Sequence, residues 1–270
     1  MIKKRVLCVF QEIMPYLPES HMSKIGRFLP QKIQESGKEI RVFMPRFGLV
    51  NERRNQLHEV IRLSGMNLII EDIDHPLIIK VASIQQARMQ VYFIENEDFF
   101  HRKHIFRDAK GKFFKDNDER TIFFSKGVLD TVKKLGWAPD IIHTHGWFSA
   151  LLPVFVRTAY KDNPLFTESK VIMSLYNDSF SENLVDAFAR KIKTNGIPDK
   201  VLKYYEKANY VSIMKSAVDY ADAFIISEEN VNPELLEYVQ ASGKPILEYQ
   251  KQEDYFDAYN QFYDQIIGEN

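Results

Sequence analysis

Apolar residues arrive in short blocks separated by polar stretches, and the spacing inside each block sets the element it predicts. Residues 5–10, Arg-Val-Leu-Cys-Val-Phe, form a nearly unbroken apolar run, as in a strand buried on both faces. After a loop with Pro15 and Pro18, Ile25, Phe28, Leu29 and Ile33 keep helical spacing, with Ser23 as the expected cap and Gly37 as the stop. A second strand is expected over 40–44, ended by Pro45. Strand, helix and strand make one βαβ unit. Four closely spaced runs follow, at 59–63, 67–70, 77–84 and 90–94, and short turns between them suit antiparallel pairing. Residues 113–118 are polar and expected to be mobile, and 119–135 read as a strong helix. Strands at 140–143, 170–175 and 223–226 then alternate with helices at 148–158, 210–220 and 233–240. In the last helix, 255–267, Tyr255, Tyr259, Phe262 and Ile266 share one face. The alternation predicts an α/β, Rossmann-like, doubly wound and mostly parallel sheet with an antiparallel insertion.

Composition narrows the function classes. The 270 residues are 45% hydrophobic with a net charge of -1, an ordinary globular balance without the basic field that nucleic-acid binding needs. A single cysteine, Cys8, excludes an internal disulfide framework and a Cys-based zinc site, and fits a reducing cytoplasm, the expected location. No stretch approaches the ~20 apolar residues of a membrane span, so no membrane association is expected. No Gly-x-Gly-x-x-Gly follows any strand, which argues against a dinucleotide cofactor; none is expected.

Several segments, in order, resemble the bacterial glycogen (starch) synthase family, glycosyltransferase family 5 type. Met44-Pro45-Arg46-Phe47-Gly48 is similar to the family's Met-Pro-Arg-Tyr-Gly. Val91-Tyr92-Phe93-Ile94-Glu95-Asn96 with Phe99-Phe100, and Asp116-Asn117, Glu119-Arg120 and Phe123-Phe124-Ser125, resemble further motifs. So do Leu135-Gly136-Trp137, Pro139-Asp140-Ile141-Ile142-His143-Thr144-His145 with Trp147, and Met214-Lys215 with Tyr220-Ala221-Asp222 and Ser227. The resemblance implies the amino-terminal, acceptor-side domain of a two-domain glycosyltransferase-B fold over 1–243, with ADP-glucose held between two such domains. It leaves the second domain without a counterpart in this sequence. Residues 244–270 are expected to form an amphipathic helix docked back on the domain.

The resemblance also locates departures. The family's Lys-x-Gly-Gly-Leu opens the first helix, where glycines let backbone N–H groups approach a phosphate. The equivalent here is Pro18-Glu19-Ser20-His21-Met22. Glu19, Ser20 and His21 are thus candidates for a degenerate phosphate loop, while Lys24 and Arg27 read as a solvated helix face, with a shifted phosphate role as the lesser alternative. The family's Asp before Trp147 is Gly146, and its sugar-contacting His is Tyr176, just before Asn177, with Phe180 near the family's following Tyr. His143, His145, Trp147, Tyr176 and Asn177 are therefore the substrate-cleft candidates. Two histidines at i, i+2 lack a third ligand of obvious spacing, so no metal is expected and structural histidines hydrogen-bonded at the strand end are the nearer reading, while Tyr176 suits either stacking on a sugar ring or core packing. Tyrosine, with an ordinary pKa of about 10, is a poorer proton carrier at neutral pH than histidine. Without a donor domain, positioning and leaving-group stabilisation are incomplete. The expected function is a glucan-binding or regulatory module without transferase activity of its own. The alternative is a glucosyltransferase completed by a separate donor-domain protein. Expected partners are glucan, such a protein, or a second copy of the chain.

Overall fold

A computed structural model describes residues 3–193, 195–251 and 255–268. In chain order the elements are β1 (Arg5–Phe10), α1 (His21–Glu35), β2 (Glu39–Pro45), α2 (Glu52–Asn55), β3 (His58–Glu59), β4 (Met66–Ile70), β5 (Ile73–Ile84), β6 (Met89–Glu95) and α3 (Glu97–Phe100). Then come α4 (Asn117–Leu135), β7 (Ile141–His145), α5 (Leu151–Arg157), β8 (Lys170–Leu175), α6 (Phe188–Lys193) and α7 (Asp199–Leu202). The chain continues with α8 (Tyr210–Tyr220), β9 (Ala223–Ile226), α9 (Pro233–Ala241), β10 (Ile246–Leu247) and α10 (Tyr255–Ile267). One sheet runs β10-β9-β8-β7-β1-β2-β6-β5-β3, with β4 hairpinned to β5. β10 through β6 pair in parallel, and β5 turns the sheet antiparallel. β1 lies at the middle, buried on both faces, which explains its unbroken apolar run.

Strand order reverses at β1. The chain steps one way through α1 to β2, and the other way through α5, α8 and α9. Right-handed crossovers therefore put α1 on one face and α5, α8 and α9 on the other. On the α1 face, α10 packs beside α1 and against β10, and its Tyr263 and Tyr259 hydroxyls reach His143 in β7 and Ser227 after β9. Tyr255, Tyr259, Phe262 and Tyr263 are its buried residues, and Lys38 at the end of α1 pairs with Asp264 at 2.7 Å.

Four local expectations change. The cap of α1 is Ser20, not Ser23. Ser20 Oγ accepts the Ser23 N–H at 3.0 Å and Ser23 Oγ accepts the Ser20 N–H at 2.8 Å, a reciprocal box that lengthens the helix by almost a turn. The run at 59–63 pairs only at His58–Glu59, because 61–63 turn back toward β4. The run at 90–94 is antiparallel to β5 but parallel to β2, so it joins the two kinds of sheet. Residues 113–118 are tied down: Phe113 stacks on Phe180, and Asn117 and Asp118 are buried in α4. The anchor there is Arg120, fully buried, donating to the Phe99 and Ile105 carbonyls at 2.8 and 2.7 Å amid the rings of Phe47, Phe100, Phe114 and Phe148. Burial lowers its guanidinium to about 9.

Candidate functional site

Open parallel sheets place ligands at the carboxyl ends of their strands, near the point where strand order reverses. Here that edge gathers Gln11 after β1, Gly146 and Trp147 after β7, Tyr176 to Asp178 after β8, and Ser227 and Glu228 after β9. The amino terminus of α1 points into it. One of its backbone donors, the Ser23 N–H, is already engaged by Ser20. Ser20 caps the helix and its hydroxyl also donates to Glu12 at 2.6 Å. His21 Nε2 donates to the Ser227 carbonyl at 2.7 Å, which fixes that tautomer and ties the loop to β9. Glu19 is exposed and pairs with Lys24 at 2.5 Å. Glu12 and Glu19 thus set two carboxylates at a helix end whose dipole favours anions.

Gly146 has φ +82°, a conformation open to glycine and strained for other residues. A β-carbon there would stand 2.4 Å from Gln11 Oε1 and 2.9 Å from Met22 Cε. Gln11, buried, fills that space and accepts the Phe148 N–H at 3.2 Å. The neighbouring Trp147 N–H donates instead to Asp178 Oδ2 at 2.8 Å, and Tyr210 donates to Asp178 Oδ1 at 2.8 Å. Burial raises Asp178 to about 6, with those two donors opposing the shift. Sequence reasoning missed Gln11 and Asp178. Adjacency of Asp178 to Asn177 was a usable signal; nothing in spacing pointed to Gln11.

His143, His145 and Tyr176, named as cleft candidates, do not face a cleft and take their other reading, structural histidines at the strand end and a core-packed tyrosine. All three side chains point to the face covered by α10, at 1% exposure or less. His143 Nδ1 meets the Tyr263 hydroxyl at 2.5 Å and its Nε2 the Ser174 hydroxyl at 2.7 Å. His145 Nδ1 meets the Tyr176 hydroxyl at 2.8 Å, and its ring stacks on Phe10 with centroids 3.7 Å apart. Burial lowers His143 to about 3 and His145 well below its ordinary range, and raises the Tyr176 hydroxyl. Both histidines are therefore neutral structural groups. With both His143 nitrogens engaged by hydroxyls, the pair offers no metal site, and among the described residues no acidic, Cys or His cluster does. Trp147 is also buried, packed on Phe106, Phe148 and Phe180. Of the five cleft candidates only Asn177 is exposed, its N–H held by Glu228 at 2.9 Å.

A groove of about 560 Å³ does open at this edge, between the β8 end and the starts of α8 and α9. Phe180, Tyr204 and Tyr210 offer ring faces, and Asn209, Ser212 and Asn232 offer polar groups. Arg107 on its wall is held by Glu182. Lys215 and Glu234 also line the groove, paired with each other at 2.7 Å, and ring faces beside amides, hydroxyls and paired charges suit a neutral polyhydroxylated ligand.

Sheet order, insertion and strand-end edge define a glycosyltransferase-B type Rossmann-like domain. The family model described as the starch synthase catalytic domain matches residues 5–245, and the chain belongs to that family. It is 33% identical over 220 residues to a glycogen synthase from Chlorobium limicola, covering 81% of this chain and 44% of that protein. A glycogen synthase from Pelodictyon phaeoclathratiforme is 31% identical over 253 residues, covering 91% of this chain and 50% of that protein. The chain thus spans about half the length of these relatives, their amino-terminal part. The catalytic domain of starch synthase IV from Arabidopsis thaliana, bound to ADP and acarbose, superposes with a TM-score of 0.74 at 15% identity, over 92% of this chain and 51% of that one. Among the described residues no helix is long and apolar enough to cross a membrane.

Proposed function

We infer that this chain is a glycogen synthase-like half that binds glucan and does not itself transfer glucose from ADP-glucose. The observation that carries this reading is the amino terminus of α1. Ser20 caps the Ser23 N–H there, and the Glu12 and Glu19 carboxylates beside that terminus oppose the approach of a diphosphate. The rest of the edge agrees: Gln11 occupies the space beside Gly146, and Tyr176 is spent on His145 beneath α10. The aromatic groove beside Phe180 supplies a surface for sugar rings. A glucosyltransferase completed by a donor-domain protein is the weaker reading, because these changes lie on this half and no partner replaces them. Regulation of a full-length synthase by occupying glucan ends is the role that fits a cytoplasmic binding module.

Two measurements test the binding claim. Glycogen co-sedimentation should retain the chain, and Phe180→Ala should reduce retention several-fold. Calorimetric titration with ADP-glucose should give no saturable heat. Tight ADP-glucose binding, or no retention on glycogen, contradicts the reading.

A further inference from the structure

A second recess lies away from the strand ends, beside α1. It has about 600 Å³ and is walled by α1, α2, the 14–16 loop and residues 83–86 at the end of β5 and just after it. Arg27 and Arg54 line it, and no carboxylate does. Several partly buried cations stand against acids: Arg46 and Lys80 share Glu52 and Glu95, Arg102 holds Asp116, and Arg157 holds Asp222, while Arg120, Lys126 and Lys244 bond neutral oxygens inside the fold. Arg27 bonds the neutral Gln31 at 2.8 Å, with its guanidinium 5.0 Å from the Phe28 ring. Among the described residues neither Arg27 nor Arg54 forms an ion pair. On the same wall Tyr16 is 5% exposed and its buried hydroxyl has no hydrogen-bond partner. Phe28 leaves 44% of its surface open, and Ser83, Asn55, Gln56, Gln85 and Gln86 complete the lining.

We propose that this recess binds a phosphate-bearing small molecule. Two guanidinium forks without a competing carboxylate match a phosphate dianion. The amides and Ser83 suit hydroxyl or base-edge groups on the body of the ligand, and Phe28 covers one ring face. The site is separate from the strand-end groove and does not depend on glucan binding there.

Isothermal titration of the full chain with inorganic phosphate, glucose 6-phosphate and AMP, against glucose and adenosine, tests this. Saturable one-to-one binding is expected for the phosphate-bearing probes and not for glucose or adenosine. The better of the two organic phosphates identifies the body the recess accepts. Arg27→Gln and Arg54→Gln should each weaken binding about tenfold, the loss expected for one charge-assisted contact. Both changes lie at the surface, and an unchanged melting temperature confirms that folding is intact. Absence of saturation by all three phosphates at millimolar concentration overturns the proposal. So does binding that is unaffected by both substitutions, which would put the phosphate elsewhere.

Discussion

His143 shows how one buried side chain sets a pH response. Its folded-state pKa is about 3 against an ordinary 6.5. Below pH 6.5 the unfolded chain takes up a proton that the folded chain refuses, so this group's contribution falls as pH falls from 6.5 toward 3. The slope is about 1.4 kcal/mol per pH unit well below 6.5. Asp178 acts oppositely: its folded pKa of about 6 lies above the ordinary 3.8, so the folded chain protonates first and gains stability as pH falls through that window. The whole-protein pH curve therefore mixes opposing contributions, and a comparison isolates one. His143→Gln keeps a neutral hydrogen-bonding group, and its stability deficit against the parent should shrink by about 1.4 kcal/mol per pH unit between pH 6 and 4. Denaturant melts at four pH values measure this; a deficit independent of pH contradicts it. Gly146→Asp makes a second residue-level case. Positive φ and the Gln11 contact together predict a loss of about 2–4 kcal/mol, with no gain of transfer. Stability within 1 kcal/mol of the parent, by the same melts, would mean that Gln11 yields its place easily. Sequence alone exposed Gly146 as a departure. The reason lies 135 positions away in Gln11, where no local spacing reports it.

At the scale of elements, local pattern was most informative where burial was simple. β1, β8, β9, α8 and α10 follow from apolar runs and helical spacing over the residues expected. Boundaries moved where side-chain hydrogen bonds set them, as in the Ser20–Ser23 box, or where a distant group imposed order, as Arg120 does on the segment before α4. The direction in which His143 and His145 point was legible as a shared strand face. What covers that face was not, because the cover is α10, whose Tyr263 contacts His143 across 120 residues. Ending the chain at Leu247 keeps β10 and removes this cover. The melting temperature should fall by about 10 °C or more, because four aromatic side chains of α10 leave the core. Tyr263→Phe should cost about 1–3 kcal/mol by leaving His143 Nδ1 without its partner. An unchanged melting temperature in the truncated chain would mean that α10 contributes little.

For the molecule as a whole, the architecture is the family's, and the proposed loss of transfer rests on the strand ends. The sheet, its insertion and its motifs are those of a starch synthase catalytic-domain half, and the family match runs from 5 to 245. The groups at the strand ends are turned to other uses: carboxylates guard the α1 terminus, Gln11 fills the gap beside Gly146, and the histidines support α10. The measurement that bears most directly on this account is transfer of labelled glucose from ADP-glucose to glycogen by the purified chain. Incorporation should be no greater than in a protein-free control, while the same preparation is retained on glycogen. Incorporation that grows linearly with protein concentration would contradict it.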